Sequence, residues 1–132
     1  MKIIVASHGD FSKGCVDTLK MIMGSEFIEK ISVYSLQIGE NPNDYVKNLN
    51  FDNDEYVVFT DIYGGSVFNA FASCLGNHNI RLISGTNINV LIEFMISQEK
   101  NLDKRIEQAI KNAKDSLQVL KSLENIKENE EF

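Results

Sequence analysis

Ile3-Ile4-Val5-Ala6-Ser7-His8-Gly9 stands near the amino end of this 132-residue chain, and Tyr56-Val57-Val58-Phe59-Thr60-Asp61 stands near its middle. Both runs are short, rich in β-branched residues and free of polar alternation, which is the pattern of strands buried on both faces of a parallel sheet. In open α/β sheets, chemistry sits beyond the carboxyl ends of the strands. The polar residues found there are His8 and Asp61. If the two strands are neighbours, their tips lie about 5 Å apart, close enough for a carboxylate to reach an imidazole nitrogen.

Working outward, strand-like and helix-like segments alternate four times. Ser12 to Gly24 follows the first strand, with Ser12 in an N-cap position, Cys15, Leu19, Ile22 and Met23 on one helical face, and Gly24 suited to the C-terminal turn. A second strand spans Ile31 to Leu36, and Pro42 is placed to start a helix over about Asn43 to Leu49. The strand from Tyr56 to Thr60 leads to a helix from Ser66 to Leu75 stopped by Gly76. A strand from Ile80 to Ser84 then leads to a helix over about Ile88 to Ser97. Short connections of this kind predict an α/β fold: an open, mainly parallel sheet with helices on both faces, joined by right-handed crossovers. The usual small solution is strand order 2-1-3-4, which makes His8 and Asp61 neighbours at the switch point. From Leu102 to Leu123, Ile106, Ile110, Ala113, Leu117 and Leu120 recur at helical spacing and read locally as one amphipathic helix.

Composition sets the frame. The chain is 43% hydrophobic and 24% charged, with no apolar stretch approaching a membrane span. Met1 to Ala6 turns polar at Ser7 to Asp10, too soon for the apolar centre of a signal peptide, so the expected location is cytoplasmic. A net charge of -6 argues against nucleic-acid partners and anionic membranes. Glu124, Glu128, Glu130 and Glu131 against Lys127 hold -3 of that charge. The reading is therefore a domain over residues 1–123 and an acidic, flexible tail over 124–132. Cys15 and Cys74 lie in apolar helical patterns without Cys-x-x-Cys spacing and read as reduced, buried thiols. His78, in the turn-rich Gly76-Asn77-His78-Asn79, reads as solvated. Histidines so dispersed make a metal site improbable, and no cofactor is expected.

A nucleophilic histidine needs one ring nitrogen unprotonated and aimed outward, and a carboxylate that accepts the other N–H fixes that tautomer. Asp61 is positioned to do this for His8. Behind Asp61, Gly64 and Gly65 permit close backbone approach to a ligand. Ser66 offers a hydroxyl at a helix N-terminus, where free N–H groups favour an anion such as phosphate. Each of these residues has a plainer reading, as a strand end, a turn or an N-cap; their shared placement at the switch point favours function. Thr86 and Asn87 end the fourth strand on the same edge, where helix capping suffices to explain them.

Taken in order, Ile4-Val5-Ala6-Ser7-His8-Gly9, Gly39-Glu40-Asn41, Thr60-Asp61-Ile62-Tyr63-Gly64-Gly65-Ser66 with Phe68-Asn69, and Gly85-Thr86-Asn87-Ile88 resemble the mannose-type EIIA domain of the bacterial phosphoenolpyruvate-dependent sugar phosphotransferase system. The resemblance implies that His8 accepts a phosphoryl group from a histidine-containing phosphocarrier protein and passes it to an EIIB component. Asp61 orients the imidazole, and Gly64, Gly65 and Ser66 hold the phosphoryl group. Contact with a membrane would be indirect, through permease components. It also implies a homodimer with a short antiparallel C-terminal edge strand, which would turn Leu117 to Lys121 from helix into strand. Two positions depart from the family, Val67 and Asn89, where proline is common. Other classes remain open at this point. One is a hydrolase built on Ser66, His8 and Asp61, although Gly-Gly-Ser-Val-Phe lacks the Gly-x-Ser-x-Gly elbow. The other is a regulatory phosphate- or nucleotide-binding module of similar fold.

Overall fold

The structure, a computed structural model, describes residues 1–123. The acidic segment 124–132, expected to be a flexible tail, lies outside the described residues. The chain divides into two compact units, Met1–Ile88 and Asn89–Phe132.

The first unit carries β1 (Lys2–His8), α1 (Phe11–Met23), α2 (Ser25–Ile28), β2 (Ile31–Leu36), α3 (Pro42–Asn48), β3 (Tyr56–Thr60), α4 (Ser66–Ala72) and β4 (Ile80–Ile83). The four strands form an all-parallel sheet in the order β2-β1-β3-β4, as the alternation predicts. The chain steps one way from β1 to β2 and back past β1 to β3. Right-handed crossovers therefore put α1 on one face and α3 and α4 on the other. On the α3/α4 face, Ile4, Ala6, Tyr34, Tyr56, Val58 and Ile80 pack with Val46, Val67, Ala70 and Phe71. The alternate residues Ile3, Val5, Val57 and Phe59 are equally buried, which is why these strands lack polar alternation. Val67 is fully buried in this core.

Local signals were partly overruled. Pro42 begins α3, and the Asn41 carboxamide oxygen accepts from the Asn43 N–H, so that start follows the sequence. Ser12 is not an N-cap: the cap is Asp10, and Ser12 lies fully buried inside the first turn of α1. α4 ends at Ala72, short of Leu75, and the brief helix α2 had no advance signal.

The second unit holds α5 (Ile88–Ile96, whose first residue belongs to the first unit) and α6 (Leu102–Asp115). Asn101 caps α6 through its side-chain oxygen. The Arg105 Nε–H donates to the Phe94 carbonyl at 2.8 Å, with the guanidinium carbon 4.2 Å from the Phe94 ring centre. α6 does not continue to Leu123. The last turn tightens instead: the Ser116 N–H donates to the Ala113 carbonyl at 3.2 Å and the Leu117 N–H to the Lys114 carbonyl at 3.5 Å, while the Ser116 hydroxyl also donates to the Ala113 carbonyl at 2.6 Å. Leu117 to Lys121 is consequently neither the long helix of the local pattern nor a strand in this single chain. Leu117, Val119, Leu120 and Leu123 are exposed. No helix of the described residues is long and apolar enough to cross a membrane.

Candidate functional site

Because β1 and β3 pair in register from Lys2↔Tyr56 to Ala6↔Thr60, their next residues emerge side by side at the carboxyl edge. His8 Nδ1 lies 2.9 Å from Asp61 Oδ2, and the same oxygen accepts the His8 backbone N–H at 2.8 Å. Oδ1 accepts the Ile62 N–H at 2.9 Å. Burial, the largest single influence on the Asp61 carboxyl, favours its protonated form. The hydrogen bonds from the His8 N–H, the His8 ring and the Ile62 N–H outweigh burial and hold the carboxyl below its ordinary range. An ionised carboxylate only accepts, so Nδ1 carries the proton and, in the neutral ring, Nε2 carries the lone pair. Ser66 Oγ lies 3.1 Å from Nε2. The imidazole side chain is 42% exposed and that of Asp61 12%, so the carboxylate is sheltered while the ring faces outward.

The turns that present these groups are fixed by hydrogen bonds the sequence did not advertise. Ser7 Oγ, fully buried, accepts the Ser12 N–H at 2.8 Å and donates to the Gly9 carbonyl. It thereby caps α1 from the strand that carries His8. Ser12 Oγ donates to the Tyr34 carbonyl and also meets Ser35 Oγ, each at 2.8 Å, and the Gly9 N–H donates to the Leu36 carbonyl. On the other side, the Gly85 and Thr86 N–H groups donate to the Asp61 and Thr60 carbonyls, and Thr60 Oγ1 donates to the Ile83 carbonyl.

Gly64 and Gly65 have different tasks. Gly64 has φ +77° in the turn after Asp61, a conformation side chains disfavour, and its carbonyl accepts from Asn69 Nδ2 at 3.0 Å. A Cβ on Gly65 would stand 3.1 Å from His8 Cε1 and 3.2 Å from the Ile62 carbonyl oxygen, so glycine makes room for the imidazole. The Gly65 N–H already donates to the Ile62 carbonyl. In this structure Gly65 thus has a steric task beside the ring.

The structure therefore brings His8, Asp61, Gly65 and Ser66 into one cluster. His78 is apart from it: exposed, as expected, but with its ring stacked on Phe51 at 4.6 Å. Thr86 contributes a backbone tie, and Cys15 is buried while Cys74 is only partly so. Ser7 and Asn69 are residues whose roles were missed, for a side chain that bonds to a turn outside its own strand or helix has no periodic signature. At the same sheet edge, the start of α1 exposes Phe11, and the loops after β2 and β3 expose Ile38, Ile62 and Tyr63.

An imidazole with one nitrogen fixed by a carboxylate and the other facing a serine hydroxyl is equipped for nucleophilic group transfer. A family model described as the fructose IIA component of the PTS, EIIA-man, matches residues 2–114. The chain belongs to the EIIA-man family. Its members are EIIA components of the sugar phosphotransferase system, for which a phosphocarrier role is implied. The chain is 26% identical over 107 residues to the PTS fructose-specific EIIA component of Bacillus subtilis (strain 168), covering 75% of this chain and 71% of that protein. Among solved structures it is similar to a phosphoenolpyruvate-dependent sugar phosphotransferase system permease from Klebsiella pneumoniae. That match has 34% identity, a TM-score of 0.80 and 89% of each chain covered. It is also similar to the PTS IIA protein associated with the fucose utilization operon of Streptococcus pneumoniae, with 32% identity, a TM-score of 0.68 and 89% of this chain and 96% of that one covered.

Proposed function

We propose that this EIIA-man chain is a cytoplasmic phosphocarrier that takes a phosphoryl group onto His8 from a phosphorylated histidine-containing phosphocarrier protein and passes it to an EIIB component for sugar uptake and phosphorylation. The observation that carries the reading is the His8–Asp61 pair at 2.9 Å, which puts the ring's lone pair on Nε2, on the side of Ser66. In the transfer, the Nε2–phosphorus bond forms as the donor's phosphorus–nitrogen bond breaks, and the donor nitrogen keeps the electron pair. The Nδ1 proton stays between His8 and Asp61, where the carboxylate stabilises the positive charge that develops on the ring. Phosphoryl transfer demands positioning and charge stabilisation more than bond-making machinery. The Ser66 hydroxyl supplies a donor for a phosphoryl oxygen, and Gly64 and Gly65 shape the turn that brings it there. The exposed Phe11, Ile38, Ile62 and Tyr63 suit docking of a protein donor and acceptor rather than a small molecule. The exposed Leu117, Val119, Leu120 and Leu123 support a homodimer in which this segment pairs with a second copy.

Incubation with phosphoenolpyruvate, enzyme I and the phosphocarrier protein is expected to place an acid-labile phosphate on His8. His8→Ala abolishes it; labelling that persists in this variant refutes the assignment. A second reading, a hydrolase, draws on the completed Ser66–His8–Asp61 array. Against it, Gly64-Gly65-Ser66-Val67-Phe68 lacks the Gly-x-Ser-x-Gly elbow that presents a nucleophilic serine on this architecture. Ester hydrolysis with a covalent adduct on Ser66 would establish it.

A further inference from the structure

The two ring nitrogens of His8 are both engaged in the structure, and in the neutral ring the roles within those contacts follow from Asp61. Asp61, an acceptor, fixes the proton on Nδ1, so the 3.1 Å contact of Ser66 Oγ with Nε2 is one in which the hydroxyl donates to the lone pair. That lone pair is the one that must bond to phosphorus. We propose that Ser66 gates the nucleophile: in the unphosphorylated protein its hydroxyl covers the Nε2 lone pair, and it must turn away before His8 reacts.

The inference deepens the phosphocarrier reading and rests on it for the fate of the hydroxyl. On phosphorylation Nε2 gains its bond to phosphorus and ceases to accept. The freed Oγ–H then has a phosphoryl oxygen beside it and donates there, so no proton leaves the site. One side chain thus restrains the resting imidazole and assists the loaded one. Its removal has effects of opposite sign in the two reactions: unspecific electrophiles gain access to His8, while phosphoryl transfer loses a donor. Ser66, as the first residue of α4, occupies a place where side-chain rotation disturbs no helical hydrogen bond.

The resting half of the device is tested on the protein alone with diethyl pyrocarbonate, which acylates an unprotonated imidazole nitrogen. His78, exposed and outside the cluster, serves as the reference within the same chain. Rates of carbethoxylation at the two histidines are read from their separate peptides by mass spectrometry, well above the ordinary imidazole pKa of about 6.5. In Ser66→Ala the His8-to-His78 rate ratio is expected to rise about two- to tenfold, the range given by release of one hydrogen bond between neutral groups. Ser66→Thr, which keeps the hydroxyl, stays near the wild-type ratio, and Ser66→Val, which keeps the bulk of threonine without it, is fast. Ratios unchanged in Ser66→Ala, or a slow Ser66→Val, overturn the gate, the latter by reducing it to bulk. Phosphorylation of the same variants by the phosphocarrier protein keeps the two hypotheses apart. A wild type that is phosphorylated but whose ratio ignores Ser66 refutes the gate alone. One whose ratio responds but which never accepts phosphate refutes the phosphocarrier reading and leaves the resting contact established.

Discussion

Asp61→Asn is the sharpest test of the site because it preserves shape and changes only charge and donor pattern. In the wild type Oδ2 accepts both the His8 N–H and the Nδ1 proton, while Oδ1 accepts the Ile62 N–H. A carboxamide has one oxygen for these two places. With its oxygen toward His8, its NH₂ opposes the Ile62 N–H; turned round, its NH₂ opposes the His8 N–H and donates to Nδ1, driving the ring proton to Nε2 and blocking the nucleophile. Both orientations sacrifice one backbone donor, so neither tautomer dominates the variant. In the productive orientation the bond to Nδ1 is still weakened, since hydrogen bonds to charged groups are worth about 1.5–3 kcal/mol and neutral ones about 0.5–1.5. A loss of about 1–2 kcal/mol where positive charge develops slows transfer roughly five- to thirtyfold. Misplaced tautomers extend the loss toward the factor of about 10⁴ seen for the equivalent change in a Ser-His-Asp triad. Quenched-flow transfer from the phosphorylated carrier measures it, with ring-nitrogen NMR reporting the tautomer. Transfer within a factor of about three of the wild type would refute the pairing argument, since about 0.6 kcal/mol is smaller than any of these effects. The same variant tests linkage. The Asp61 carboxyl titrates below its unfolded value of about 3.9, so its stabilising contribution is complete above that pH and lost as the pH falls through the folded-state pKa. Thermal melts between pH 5 and 2 should show a shallower acid decline for Asp61→Asn than for the wild type.

The remaining predictions concern the supports. Gly65→Ala forces the His8 ring or the Ile62 carbonyl to give by a few tenths of an ångström and should slow transfer about tenfold with little change in melting temperature; an unaffected rate would show the ring tolerates the shift. Ser12→Ala removes the buried donor to the Tyr34 carbonyl and should cost about 1–3 kcal/mol, read as a lower melting temperature by calorimetry. An unchanged melt would mean that Ser35 or water replaces it. Truncation before Ser116 should dissociate the proposed homodimer by light scattering. A wild-type chain that stays monomeric at high concentration removes the basis for that prediction.

The sequence by itself determined the sheet, its order and the residues at its switch point. The uniformly apolar runs of β1 and β3, the alternation with helices and Pro42 at the head of α3 are local signals, and right-handed crossovers leave few topologies for them. His8, Asp61 and Ser66 were legible for the same reason, standing where strands end and a helix begins. Only the tertiary structure decided what each group does with its hydrogen bonds. Ser12 reads as an N-cap from its neighbours, yet burial beside β2 turns its hydroxyl toward Tyr34 and Ser35. Gly65 reads as a phosphate-binding residue, and the structure adds a task that no pattern shows, making room for His8 while its N–H donates to Ile62. The periodic run through Leu117 and Leu120 promised helix, yet the chain closes its last turn at Ser116 and α6 ends at Asp115. Periodicity records which face of a segment is buried; the partner of a buried hydroxyl or amide depends on strand register and on atoms from distant parts of the chain, which acquire their positions only when the sheet has formed.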